Sequence, residues 1–157
     1  REPRRLSQLS RLGAGLTGAI VDATLLQSTL LLVPGLVERL QAGIDVADIG
    51  CGAGHALNVM ARAFPQSRFT GYDFSADGIA MDQQEAQQLG LTNARFEQQD
   101  VATLDVREGY DLITVFDAIH DQAKPRTVLQ NVQRALRPGG TFLMVDVNAS
   151  SNVARVI

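Results

Sequence analysis

Three glycines at alternate positions, Gly50, Gly52 and Gly54, follow the short apolar run Val46-Ala47-Asp48-Ile49 and enclose Cys51. Glycine tolerates positive φ, and its missing side chain lets a ligand lie against the backbone. A strand that bends through glycines into a helix turns backbone N–H groups, and the positive end of a helix dipole, toward one edge of a sheet. Such an edge binds a small molecule rich in hydrogen-bond acceptors. Four stretches of strand character end in acids, at Asp48, Asp73, Asp100 and Asp117. A carboxylate about twenty residues beyond a glycine loop is placed to accept both hydroxyls of a ribose. Asp73 stands at that interval from Gly52.

Gly50 and Gly52 fit the dinucleotide fingerprint G-x-G-x-x-G, but His55 holds its third position and the remaining glycine comes one residue early. A bulky imidazole there weakens a nicotinamide reading, and no Tyr–Lys pair supports one. No lysine closely follows the glycines, so a phosphate loop is excluded. Asp48-x-Gly50-x-Gly52-x-Gly54 resembles the first motif of class I S-adenosylmethionine-dependent methyltransferases, and the resemblance runs from Leu36 to Val147. It implies a cofactor loop of Asp48, Gly50, Cys51, Gly52 and Gly54. It also implies that Asp73 binds the ribose, with Phe74 covering an adenine face. Asp100 would accept from the adenine amino group while Val101 packs on the ring, and Phe116 and Asp117 would meet the methionine moiety. Leu136-Arg137-Pro138-Gly139-Gly140 is similar to the L-x-P-G-G turn before the fifth strand. Read singly, Asp73 and Asp100 could each be a solvated turn aspartate; order and spacing favour the family reading.

The chemistry implied is in-line transfer of a methyl group from S-adenosyl-L-methionine to a small-molecule acceptor, leaving S-adenosyl-L-homocysteine, as in bacterial small-molecule methyltransferases. The sulfonium methyl is already activated, so positioning at about 3 Å and a dry site do most of the work. His120 could serve as base for a hydroxyl acceptor. The same position suits a helix-start or acceptor-shaping residue, which is the preferred reading. No Asn-Pro-Pro-aromatic motif follows the fourth strand, which disfavours a nucleobase or glutamine amide as acceptor. The rival readings are a non-catalytic or regulatory protein that keeps the cofactor cleft, and an NAD(P)-dependent oxidoreductase.

Composition agrees with one soluble domain: 157 residues, 45% apolar and 20% charged. The net charge of −3 argues against a nucleic-acid groove or an anionic membrane surface. The apolar stretch Leu12 to Val33 is interrupted by Asp22, Thr24, Gln27, Ser28 and Thr29, so it reads as a buried helix and not a membrane span. A lone cysteine, Cys51, allows no internal disulfide and fits a cytoplasmic protein. Between two glycines it reads as a small filler residue and not a nucleophile. No metal-ligand cluster stands out.

These groups need a frame that gathers strand ends. Strands are expected at Val46–Ile49, Arg68–Asp73, Ala94–Gln98, Tyr110–Phe116 and Thr141–Val147. Between them lie helices from Ala53, from Ser75 or Asp77 through Leu89, and from Pro125 to Leu136. A short helix, Leu36 to Gln41, is stopped by Gly43, and one or two helices cover Leu6 to Val33. The alternation predicts a doubly wound α/β sheet of parallel strands with right-handed crossovers, and the resemblance implies a Rossmann-like sheet of about five strands in order 3-2-1-4-5, with helices on both faces. Residues 1–43 form an N-terminal helical segment, a lid or a linker to a missing module, and residues 44–157 the cofactor domain. Only Asn148 to Ile157 follow the fifth strand, too few for the helix and two strands that complete the family sheet. The domain is therefore expected to be C-terminally incomplete, or its apolar edge to be covered by a missing domain or a second copy in a homo-oligomer such as a dimer. Asp73→Ala is expected to weaken adenosine-cofactor binding by about 1–3 kcal/mol, through lost charge-assisted hydrogen bonds. Calorimetric titration checks this, and an unchanged affinity rejects the ribose role.

Overall fold

A computed structural model describes residues 28–52, 55–116, 118–119 and 123–145. Five strands, β1 Asp45–Ile49, β2 Arg68–Asp73, β3 Ala94–Gln98, β4 Tyr110–Phe116 and β5 Leu136–Val145, form one sheet in the order β3-β2-β1-β4-β5. Every pairing is parallel, as the strand–helix alternation predicts. The helices are α1 Leu36–Ala42, α2 His55–Ala63, α3 Ala76–Gln88 and α4 Pro125–Ala135.

Alternation along the strands sends neighbouring residues to opposite faces. Val46, Phe69, Phe96, Leu112 and Leu143 pack with Leu36 and Leu40 of α1, Leu57, Met60 and Ala61 of α2, and Ile79 and Ala86 of α3. On the other face Ala47, Ile49, Tyr72, Ile113 and Val115 pack with Val128, Val132 and Ala135 of α4. The sheet is thus buried on both sides at its centre, which is why β1 and β4 read as nearly unbroken apolar runs. α3 starts where Ser75 Oγ accepts from Gly78 N at 3.1 Å, a side-chain cap of the kind its position in sequence suggests.

Several boundaries differ from the sequence reading by one residue, and those at β5 and before α1 by more. β5 begins at Leu136, not Thr141: Leu136 pairs with Tyr110, and the register then slips before Leu112 meets Thr141. The Arg137–Gly140 turn is absorbed into the strand as this irregularity. α4 accordingly stops at Ala135. Before α1 the chain makes a 3₁₀ turn, Leu30–Leu32, and is extended at Val33, so the expected long helix does not reach Val33. Its earlier part, Leu6 to Gln27, lies outside the described residues. Met144 and Val145 on β5 are exposed, and among the described residues this strand has no neighbour beyond β4.

The amino ends of the strands are joined by charge. Arg68 forks onto Asp45, with Nε to Oδ1 at 2.7 Å and Nη2 to Oδ2 at 2.9 Å. Arg137 Nη1 bridges Asp45 Oδ2 at 2.9 Å and Asp111 Oδ2 at 2.7 Å, and Asp111 Oδ2 also accepts from Asp45 N. The guanidinium of Arg68 foremost, then that of Arg137, holds the Asp45 carboxyl below its usual value despite partial burial. A lowered carboxyl value contributes stability above pH 3.8 that is lost as pH falls through the folded value. Asp45→Asn should lower the melting temperature at pH 7 by about 2–4 °C per kcal/mol lost, and the difference from the parent should narrow toward pH 3. Thermal scans at both pH values decide it: a deficit that stays constant into acid contradicts the ion-pair account.

Candidate functional site

At Ile49 the chain leaves β1 and bends immediately. Gly50 has φ +66° and Gly52 φ +58°, the left-handed region in which an L side chain is strained. Gly50 N and Cys51 N both donate to Tyr72 O, at 2.8 and 3.1 Å. Gly52 N donates to Asp73 Oδ2 at 2.8 Å, and Ser75 N donates to Asp73 Oδ1 at 2.7 Å. A carboxylate offers about four acceptor positions, so each Asp73 oxygen keeps one in reserve. A Cβ placed on Gly52 would meet nothing within 4 Å, so the backbone there borders open space.

The underside of the loop is tightly held. Cys51 Sγ would lie 3.0 Å from a Cβ on Gly71, and its S–H donates to Asp82 Oδ2 of α3 at 3.5 Å. Burial foremost, with the carboxylates of Asp48 and Asp82, pushes the thiol far above its ordinary value. It is a protonated donor, in keeping with a filler residue and not a nucleophile. A Cβ on Gly78 would stand 2.7 Å from Gly52 O, so α3 can approach the loop this closely only through glycine.

Two acids beneath the loop are buried. Asp48 Oδ1 accepts from Thr114 Oγ1 of β4 at 2.7 Å. Burial raises its carboxyl to about 7, with the charge of Asp73 adding and the Thr114 bond opposing. Asp82 is likewise raised to about 7 by burial, then by the charges of Glu85, Asp73 and Asp48, against the bond from Cys51. Between α2 and α3, Asn58 Nδ2 donates to Asp82 O at 3.2 Å and to Glu85 Oε2 at 2.7 Å, and Glu85 Oε1 lies 2.7 Å from His55 Nδ1. The imidazole of His55, suspect in the sequence for its bulk, is taken up by this α2–α3 contact.

Around this centre the other expected residues fall at strand ends. Phe74, directly after β2, is 74% exposed. Asp73 pairs with Gln98, which brings the end of β3 alongside. There Asp100 Oδ1 accepts from Ala102 N at 2.9 Å and caps the 3₁₀ turn Val101–Thr103. Val101, expected to lie on a ligand ring, is 5% exposed and buried in the α4-side core. Phe116 closes β4 and packs half-buried against the other core. Gly54, Asp117 and His120 lie outside the described residues. Thus Asp48, Gly50, Cys51, Gly52, Asp73 and Phe74 come together, with Asp100 beside them.

Sequence reasoning missed Thr114, Gly78, Asp82 and Asn131. Gly78 carried a signal, since glycine within a helix costs about 1 kcal/mol and invites a packing explanation. Asp82 falls on the helical face of Ile79 and Ala86, and Asn131 on that of Val128 and Val132, so polar residues on apolar faces were readable there. A groove of about 630 Å³ runs along β2 and β3, from Arg68 and Ala94 to Tyr72 and Glu97. Its principal charges are already paired, Arg68 with Asp45 and Arg95 with Glu97. Among the described residues no His, Cys, Asp and Glu group could hold a metal, and no helix is long and apolar enough to cross a membrane.

Residues 40–156 match the family described as "Methyltransferase domain". The chain is 32% identical over 104 residues to the fatty-acid O-methyltransferase of Mycolicibacterium smegmatis, covering 66% of this chain and 37% of that protein. Its structure resembles that of the YcgJ protein of Bacillus subtilis, with a TM-score of 0.63 and 31% identity over 68% of this chain and 45% of that one. It also resembles PKMT2 from Rickettsia typhi in complex with AdoHcy, with a TM-score of 0.60 and 25% identity over 66% of this chain and 21% of that one. The chain therefore spans less than half the length of each of these proteins.

Buried Asp48 and Asp82 give the folded state a distinctive proton balance. Unfolded aspartate titrates near 3.8 and these two near 7, so the folded state holds more protons between those values. Their contribution to stability is present below about pH 3.8 and is lost as pH rises to 7. Asp82→Asn removes one titration, so its melting temperature should fall less than the parent's between about pH 5 and pH 8. Parallel melting curves for the two proteins across that range would contradict the assignment.

Proposed function

The chain belongs to the methyltransferase-domain family, of the class I S-adenosylmethionine-dependent type, and from this premise we propose that it transfers a methyl group from S-adenosyl-L-methionine to a small, apolar-bodied acceptor. The observation that carries the reading is the coupling of an open glycine bend to a ribose-type carboxylate, through the Gly52 N to Asp73 Oδ2 bond of 2.8 Å. The cradle suits an adenosine cofactor: positive-φ glycines leave open space over Gly52, and Asp73 retains acceptor capacity. When bound, S-adenosylmethionine supplies an already activated methyl group.

In this reading Asp73 accepts the ribose hydroxyls and the exposed ring of Phe74 covers the adenine. Asp100 accepts from the adenine amino group, and Val101 supports that turn from within the core. Asp48, Gly50, Cys51, Gly52 and Gly54 serve as the cofactor loop, and Phe116 and Asp117 meet the methionine moiety. Thr114 keeps the Asp48 carboxyl turned into the sheet. The residues orient and exclude water, and a strong general base is not required. His120 shapes the acceptor site and accepts a proton where the acceptor is a hydroxyl.

The name of the M. smegmatis relative supports an acceptor with a fatty chain and an oxygen as the methylated atom. The exposed edge of β5 calls for cover, by further chain or by a second copy, and the net charge of −3 does not suit a nucleic-acid partner. A cytoplasmic setting agrees with the single cysteine.

Calorimetry with S-adenosylhomocysteine and NAD should give binding of the first alone; NAD binding in its place rejects the reading. Methyl transfer to a panel of fatty acids, phenols and quinones should single out one class. Cofactor binding with no transfer to any acceptor favours the regulatory alternative.

A further inference from the structure

Asn131 sits in the middle of α4, 3% exposed, among Val128, Val132 and Ala135. A primary amide on an apolar face must find partners or leave its polar atoms dry at considerable cost. Both partners of its nitrogen are carbonyls of another element: Nδ2 donates to Val101 O and to Ala102 O, each at 2.9 Å. Its Oδ1 accepts from Arg134 Nη2, one turn along the same helix. Arg134 in turn approaches Asp105 at 4.0 Å. With the oxygen taken, both amide hydrogens are committed to the turn that follows Asp100.

Val101 and Leu104 bury the turn's apolar side chains in the core beside α4, and among the described residues its other hydrogen bonds are local. Ala102 N donates to Asp100 Oδ1, Thr103 N and Thr103 Oγ1 donate to Asp100 O, and Gln99 Nε2 donates to Thr103 Oγ1. Such bonds shape a 3₁₀ turn without fixing its place against the sheet. β3 is an edge strand paired with β2 alone, and its last tie is Gln99 N to Asp73 O at 2.8 Å. Beyond Gln99, among the described residues, the side-chain bonds that anchor the turn to another element come from Asn131. Asp100 itself is exposed, with Oδ1 engaged by Ala102 N. Its other oxygen is directed by the orientation of the turn.

We propose that Asn131 is a positioning residue for base selectivity: by holding the carbonyls of Val101 and Ala102 it aims the Asp100 carboxylate at the position-6 group of the cofactor's purine. This rests on the reading of Asp100 given above. A correctly aimed carboxylate accepts from the amino group of adenine and faces the oxygen of a 6-oxo purine with unpaired lone pairs, a mismatch that discriminates against the oxo form. A loose turn lets the carboxylate swing toward water, and the discrimination fades while the ribose and methionine contacts persist.

The test compares S-adenosylhomocysteine with S-inosylhomocysteine by calorimetry on the full chain. The parent should prefer the adenine form by about tenfold or more. Asn131→Leu, similar in size but without donors, should reduce that preference to about twofold. Asn131→Gln, which keeps the amide on a longer stem, should restore part of it. A purely structural role would lower the melting temperature and both affinities together and leave the ratio intact; that result overturns the inference. Should Asn131→Leu not fold, Arg134→Met frees the amide to rotate and reads the same ratio with the same two outcomes. Asp100→Ala separates the premises. If it abolishes the preference while the Asn131 variants keep it, Asn131 is not the positioning residue. If it leaves the preference unchanged, the reading of Asp100 fails and this inference with it.

Discussion

Everything at the carboxyl edge of the sheet depends on one backbone donor, Gly52 N, and the buried carboxylate of Asp73 that receives it. The bond spans the gap between two strands at the point where neither continues. It forces the glycine bend to follow the position of β2, and through Ser75 N it draws the start of α3 to the same acceptor. A single anionic group therefore sets the relative positions of a loop, a strand end and a helix start. A charge-assisted bond of this kind is about twice as strong as a neutral one, and burial keeps water from competing for it.

The two ends of the sheet handle charge in opposite ways. At the amino ends, Arg68, Asp45, Arg137 and Asp111 neutralise one another at the surface, and the ion pairs tie β1, β2, β4 and β5 together. At the carboxyl ends, Asp48 and Asp82 are buried and hold their protons to about pH 7. One end thus holds paired charges, while the other carries buried acids whose protonation answers to what lies nearby. Perturbed acids gathered at one edge are characteristic of sites and less so of scaffolding.

Polar residues on helix faces supply the intermediate layer. Asn58 joins α2 to α3, Asp82 joins α3 to the loop through Cys51, and Asn131 joins α4 to the turn after β3. Each places a hydrogen-bonding group where packing alone would put an aliphatic one. Apolar contacts would hold the helices as well, but they are non-directional and would not specify the angle of a loop. The loops around the cleft are specified by these buried bonds more than by their own short segments.

Much of this was legible in the order of residues. The strand spans of β2, β3 and β4 and the glycine bend follow from apolar periodicity, turn residues and the intolerance of L side chains for positive φ, all local properties, while the sheet order was legible only through the family resemblance. Asp73 was legible by its interval from Gly52, because a strand, a helix and a return strand of ordinary length fix that spacing. The start of β5 was not, since Arg137 is drawn into the sheet by Asp45 and Asp111, distant in sequence, against the turn tendency of Pro138 and Gly139. Nor could the chain order reveal that Thr114 restrains Asp48, that Gly78 exists to admit Gly52 O, or that Val101 belongs to the core beneath the turn. Local chemistry determined which elements form and which residues end them; only the folded packing decided which buried polar groups meet, because hydrogen bonds between remote segments depend on distances that no local pattern encodes.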